Sequence, residues 1–354
     1  MKTNIYIVDN GIGNPIYIDL NEPDYKSLTL EFSNAFENNI LYILEISGGI
    51  TDCAGNEISE GNTAQFSIPE LPEENDIVIN EILFNPLPDR VDFVEIYNRS
   101  EKTIDLAKVL IASFDDEEMD FSSIERITTE GYLIFPEEYL VLTENPERVK
   151  QDYVTTNPDG FVQVDNLPSY NDDEGRVMLL DEQQNIIDNV EYSEDMHFAL
   201  LATNEGVSLE RINYNRPSDD KTNWHSASEL VGFATPAYEN SQFMESENLE
   251  DDVTVEPEVF SPDNDGFEDI ANINFTFDEP GYVANIKIFD SRGRLIRYLA
   301  NNQLLGIDGV ITWDGLDDKS QKAPVGIYVV FIEVFDLEGN VKQYKKSIVL
   351  AAKW

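Results

Sequence analysis

Thiols and imidazoles are almost missing from this chain: Cys53 is its only cysteine, and His197 and His225 are its only histidines. One cysteine excludes an intramolecular disulfide and a thiolate metal cluster. Two lone histidines without an HExxH pattern give no hydrolytic zinc site, and His225, beside Trp224, reads as structural. No GxSxG, no phosphate loop and no GxGxxG leading into a helix occurs. Cys53 has no histidine near it in sequence, so a cysteine nucleophile is not indicated. Basic residues are scarce as well, 23 against 70 acidic ones, for a net charge of −47. A field of that sign repels phosphate backbones and anionic lipid, which argues against nucleic-acid partners and membrane insertion. It favours solubility, a monomer in isolation and cation binding. No run approaches the roughly 20 apolar residues of a membrane-spanning helix. No signal peptide is visible, because Met1-Lys2-Thr3 runs straight into a strand-like IYIVD.

What the chain does hold is apolar and aromatic residues arranged with a period of two. Hydrophobic residues make up 41% of it, including 19 Phe and 16 Tyr, enough for real cores in two to four domains. Alternating runs at Ile77 to Leu83, Asp92 to Tyr97, Arg176 to Leu180, Ile273 to Phe277, Asn285 to Phe289 and Gly326 to Phe335 predict strands. In the last run Tyr328, Val330, Ile332 and Val334 share one face and Val329, Phe331 and Phe335 the other, which predicts a central strand buried on both sides. Helix is expected only after Asn145, with Pro146 at its first position. The rhythm of a parallel βαβ fold is absent, so packed antiparallel sheets are expected. Ile68 to Asp76 (IPELPEEND) reads as a linker, and so does Gln242 to Pro257, which like charges should keep extended.

The middle segment carries VINEILFNP (Val78 to Pro86), DFVEIYN (Asp92 to Asn98), SLERIN (Ser208 to Asn213), NWHSA (Asn223 to Ala227) and ATPAYENS (Ala234 to Ser241). In this order and spacing it resembles the bacterial lamin-tail domain across Ile77 to Ser241. It departs from the family's Gly-Thr-Pro-Gly pattern, with Phe233 and Ala237 in place of the glycines. The last segment resembles the immunoglobulin-like module of flagellar hook-capping proteins and related carboxy-terminal modules of Bacteroidota surface proteins. That resemblance rests on FSPDNDGFEDIANI (Phe260 to Ile273), IKIFDSRGRLIRYL (Ile286 to Leu299) and GVITWDGLDDKSQKAPVGIYVV (Gly309 to Val330). Within it Asp290-Ser291-Arg292-Gly293 predicts a hairpin turn. The first segment resembles a bacterial Ig-like domain through LTLEFSNAF (Leu28 to Phe36) and the hairpin Ile50 to Asn56. A domain that begins midway is taken as the reason for the missing signal peptide, so the natural protein is expected to extend upstream of Met1. Together the resemblances imply an all-β chain of three consecutive immunoglobulin-like antiparallel β-sandwiches joined by short acidic linkers: 1–70, 77–242 and 257–354.

Candidate sites are few. Asp263, Asp265 and Asp269, with Asn264 and the backbone of Phe267, place oxygen ligands at alternate positions around a glycine turn, the pattern of a Ca²⁺ loop. The twelve-residue spacing and its terminal Glu are missing, and an Asx-rich turn that bonds its own backbone reads equally from these residues. Asp52, Asn56 and Glu57 form a weaker oxygen cluster. Glu81 and Glu95 lie inside apolar strands; such carboxylates serve either as acid/base groups or, more often, as acceptors for backbone and Arg donors. Tyr17, Tyr25, Tyr132, Tyr153 and Tyr170 either stack on sugars or cover sandwich edges. The function expected is a non-catalytic structural, adhesive or binding region of a larger secreted or cell-surface protein, at the outer-membrane surface, with cell-surface proteins or glycans as partners. Two alternatives stand beside it: an accessory region of an exported nuclease or phosphatase whose catalytic domain lies upstream, and a type IX secretion or anchoring module at the C-terminus.

Overall fold

The structure is a computed structural model, and it describes residues 6–21, 27–47, 62–115, 119–198, 201–243, 252–277, 281–335 and 340–352. These residues form many short strands and one α-helix, Pro146–Asp152, begun by Asn145, whose side chain accepts from the Arg148 amide. Ile77–Leu83 and Gly326–Phe335 are strands with the expected limits. The fold is all-β and of the immunoglobulin-like sandwich kind.

The middle of the chain packs a six-stranded sheet on a four-stranded one. In the larger sheet Ile77–Leu83 lies between Phe93–Asn98 and Leu209–Arg211. Pairing is antiparallel except at one edge, where Tyr139–Thr143 and Phe161–Gln163 run parallel. Ile77, Ile79, Ile82, Val94 and Ile96 enter the core between the two sheets, with Val177, Leu179 and Val190 opposite. A bulge after Ile79 shifts the alternation by one, so Asn80 is the extra residue and Glu81 and Leu83 face away from this core. That outer face is covered too. The helix and the segment 234–237 lie over it, and Leu83, Phe93, Val141, Val149, Ala234 and Ala237 form a second apolar cluster there. Every residue of Ile77–Leu83 is consequently buried.

The last part of the chain packs a three-stranded sheet on a five-stranded one around Trp313, Phe260 and Tyr328. Its Val259–Phe260 strand runs parallel to Val341–Leu350; the other pairings are antiparallel. Gly326–Phe335 is central in its sheet, as expected, but is buried on one side only: Tyr328, Val330, Ile332 and Val334 are buried, whereas Val329, Phe331 and Phe335 are half-buried. The second face meets solvent, and Phe331 is shielded by Phe289 and by the Lys345 ammonium above its ring. In the hairpin at 290–293, Asp290 accepts from the amides of Arg292 and Arg294, and Gly293 takes a left-handed backbone.

The first part forms a three-stranded sheet and a two-stranded hairpin around Val8, Ile12 and Tyr42, with Phe36 edge-on to Tyr42 and Phe66. The hairpin at 50–56, Cys53, Asp52, Asn56, Glu57 and Tyr25 lie outside the described residues. The 68–76 segment is laid along the middle sandwich rather than hanging free. The Glu70 amide donates to Thr103 O, the Asn75 amide to Ile187 O, and Lys102 Nζ reaches Glu73 and Asp76 at 2.8 Å each. Of the acidic stretch at 242–257, Val253–Glu256 is a strand paired with Ala271–Thr276; residues 244–251 lie outside the described residues.

Candidate functional site

Strand register brings three carboxylates into one row. Glu210 lies opposite Glu81, and Glu81 opposite Glu95, across three neighbouring strands. All three are 0% exposed. A segment running from Phe233 to Gln242 crosses above them and turns its donors downward. The Thr235 amide and Ser208 Oγ donate to Glu81 Oε1. Asn80 Nδ2 and the Ala237 amide donate to the two oxygens of Glu95. Thr235 Oγ1 donates to Glu210 Oε1, and Ser241 Oγ and the Gln242 amide to Glu210 Oε2. The carboxylates thus hold a strap of irregular backbone that would otherwise bury unpaired N–H groups. Burial pushes the Glu95 carboxyl up to about 8, against the pull of its donors, and raises Glu81 well above the ordinary carboxylate range, helped by the neighbouring carboxylates. Of the two expected roles for Glu81 and Glu95, the structure shows the acceptor role.

Phe233 and Ala237, which stand where the resembled family has glycines, keep a glycine-like backbone, with φ of 71° and 68°. The turn therefore carries the strain of a Cβ in the left-handed region. A second buried unit sits beside the strap. Arg211 is fully buried, donating to Ile79 O at 2.7 Å, to Asp188 at 3.1 Å and to Ser218 at 2.6 Å, with its guanidinium 5.0 Å from the Trp224 ring centroid.

Asp263, Asp265 and Asp269 come together, their ligand atoms within 4.8 Å of one another. Asp269 is the organiser of this loop. Its Oδ1 accepts from the amides of Asp263 and Asp265, and its Oδ2 from the Gly266 amide at 2.7 Å and from Gln242 Nε2 at 3.3 Å. Asp265 accepts from the amide of Phe267, whose ring is exposed. The loop is thus an Asx-rich turn braced by its own backbone, with Asp263 and Asp265 at its half-buried edge.

His197 and His225 approach one another in a cleft of about 580 Å³ between the middle and last sandwiches, together with Trp224, Arg297 and Asp314. His197 Nδ1 bonds Ser226 Oγ, while its Nε2 is buried without a partner. Burial lowers the His197 imidazole to about 4, and the nearby His225 adds to this. Among the tyrosines expected as sugar contacts, Tyr153 and Tyr170 are core residues and Tyr132 packs against the core; Tyr17 is exposed on the hairpin. The aromatic group that does line a surface hollow went unread in the sequence. Tyr97, Tyr214 and Phe243 stack at 4.1 and 4.5 Å, with Tyr139 packed against Tyr97 and its hydroxyl bonded to that of Tyr214 at 2.6 Å, beside Glu137 and Glu239. These residues are scattered over some 150 positions of sequence, and only the strap brings Phe243 to the others.

Two family models match the chain: the Lamin Tail Domain at residues 71–194 and the CHU_C Type IX secretion signal domain at 254–350. No curated protein matches it. Solved structures that align with the chain include dimeric latent PorU from Porphyromonas gingivalis (12% identity over 95% of this chain and 28% of that one, TM-score 0.23). A DUF4876 family protein from Bacteroides thetaiotaomicron VPI-5482 aligns at 12% identity over 52% of this chain and 79% of its own length, TM-score 0.27. PorZ, a surface component of the type IX secretion system of P. gingivalis, aligns at 10% identity over 91% and 37%, TM-score 0.20. The chain spans well under half the length of PorU and PorZ. The class is that of an exported, outer-membrane or surface protein region built from β-sandwich modules. In particular, the chain carries a lamin tail domain followed by a type IX secretion signal domain. No helix among the described residues is long and apolar enough to cross a membrane.

Proposed function

We propose that this chain is a structural and adhesive region of a larger exported protein. Its sandwiches hold a functional part away from the cell surface and offer loops to surface proteins or glycans, and its last module directs the whole through the type IX route. The observation that carries this reading is the use made of the buried carboxylates. Glu81, Glu95 and Glu210 are committed to holding backbone under the strap rather than lining a cleft where a substrate could meet them. The aromatic hollow at Tyr97, Tyr214 and Phe243 and the strongly acidic surface suit glycans and basic protein partners rather than phosphate polymers.

The test is a fusion of a reporter to residues 1–354, expressed in a bacterium that has the type IX system. The expected result is reporter on the cell surface, lost when 252–354 is removed. A reporter retained inside with the whole chain attached would sink the export part of the proposal. Cells displaying the chain should adhere to a glycan array or to host-protein-coated surfaces above cells displaying the reporter alone; equal adhesion would sink the adhesive part.

A second reading concerns the 263–269 loop, where the closeness of three carboxylates favours a Ca²⁺ ion. Asp263 and Asp265 would supply side-chain oxygens, the backbone of Phe267 a carbonyl, and Asp269 a remaining lone pair on an oxygen that also accepts from the loop amides.

A further inference from the structure

We propose that the lamin tail domain is the docking platform of the secretion signal domain, and that the loop 260–269 is the latch between them. The loop enters the middle sandwich rather than merely touching it. Asn264 is buried, with a left-handed backbone (φ 60°); its Nδ2 donates to Ala227 O at 3.1 Å, while its own carbonyl accepts from the Glu229 amide at 2.9 Å and from Ser228 Oγ at 3.1 Å. Two positions on, Gly266 has a φ of 81°, and a Cβ built there would lie 2.8 Å from Ser228 Oγ. Only a glycine allows both that backbone and that approach. Gln242 completes the clasp: its amide donates to Glu210, inside the lamin-tail sandwich, and its side chain donates to Ser226 O and to Asp269, inside the loop. Away from the loop, Arg216 reaches across from the middle sandwich to Val310 O of the last one.

Each of these groups is polar and buried at the junction. Separating the two sandwiches would expose Ala227 O, Asn264 O and Val310 O to water and break every bond between them at once. Small polar residues, Ser226, Ser228 and Ser241, line the receiving surface, which is the chemistry needed to bond main chain rather than to bury an apolar patch. The two domains thus form one cooperative body, and the secretion machinery meets the signal domain already seated on its neighbour. The same loop that resembles a cation site owes its shape to this clasp, because Asp269 is oriented by three loop amides and by Gln242. The latch stands on contacts within the chain and is independent of what the exported protein adheres to.

Hydrogen exchange on the full chain, in EDTA, tests it. Wild type should protect the Glu229 amide and the segments 226–242 and 260–269 together. Asn264→Ala and Gly266→Val, both in the last domain, should raise exchange in 226–242 of the other domain about tenfold, the signature of local opening. Strand 326–335 should stay protected, which shows the signal domain still folded. Ser228→Ala, on the platform, is the gentler converse and should raise exchange in 260–269. Thermal melting should pass from one transition in wild type to two in Gly266→Val. The proposal is overturned if the Glu229 amide exchanges freely in wild type, if protection vanishes in EDTA, or if loosening either side leaves exchange on the other unchanged.

Discussion

Glu95 and His197 sit on opposite sides of neutrality, and their burial ties stability to pH in opposite senses. The Glu95 carboxyl, pushed up to about 8, keeps its proton in the folded chain at pH values where the unfolded chain has released it. Its contribution is therefore fully present below about pH 4.5 and is lost as pH rises through about 8; Glu81 moves the same way. His197, lowered to about 4, is the reverse: its contribution is present above about 6.5 and lost as pH falls toward 4. From pH 6.5 to 8 the carboxylates act alone, so the urea midpoint should fall over that range, with a loss on the order of 2 kcal/mol. A flat or rising midpoint would contradict the buried row. Between about pH 6.5 and 4.5 the buried row and His197 oppose one another, so His197→Phe, which keeps an aromatic ring beside Phe84, should be more stable relative to wild type the lower the pH in that window; an unchanged difference would show that His197 does not titrate with folding. Removal of one acceptor tests the row directly. Glu95→Ala leaves the Ala237 amide without its acceptor and takes from Asn80 Nδ2 one of its two, the other being Asn240 Oδ1, and should cost roughly 3 kcal/mol in chemical denaturation, against less than about 0.5 for an exposed residue.

Elements divide into those legible from local sequence and those that depend on distant partners. Ile77–Leu83 and Gly326–Phe335 announced themselves by alternation, and Pro146–Asp152 by Asn145 and Pro146, because those signals are carried within a few residues. Asn145→Ala should melt that helix's first turn at a cost of about 1 kcal/mol, measurable as faster amide exchange at 147–149. Nothing local revealed the strap. Its partners, Glu81 and Glu95, lie 154 and 142 residues away from Thr235 and Ala237, and the bulge that turns Glu81 toward it has no sequence mark beyond an Asn in an apolar run. Glu210 and Arg211 lie within the SLERIN motif, where the only local sign of their burial is two charged residues in a short strand. The outer face of Gly326–Phe335 misled for the opposite reason, since large apolar side chains also occur on half-covered faces. The strap's left-handed Ala237 gives an element-scale test. Ala237→Val adds a β-branched side chain where φ is 68° and should cost more than about 2 kcal/mol; a neutral result would mean that the turn relaxes freely.

For the whole molecule, charge sets the conditions. With a net charge of −47, self-repulsion should be relieved by screening, so the melting temperature should climb as sodium chloride rises from low to physiological strength. Calcium gives a separate arm. Binding to the native state alone must raise the melting temperature further at constant ionic strength, and no shift at millimolar calcium would remove the ion from the 263–269 loop. The sequence showed which acids cluster there but not that Asp269 already serves three backbone amides, since that follows from the fold of the loop on itself. The pairing of Val259–Phe260 with Val341–Leu350 has a mechanical consequence. These two strands, near the two ends of the last sandwich, run in the same direction. Tension applied between those ends drags one strand lengthwise past the other, loading their hydrogen bonds in shear together instead of peeling them one by one. Flow tugging on an anchored cell would therefore meet stiff resistance in this module, visible as a high rupture force when single molecules are stretched from residues 258 and 351.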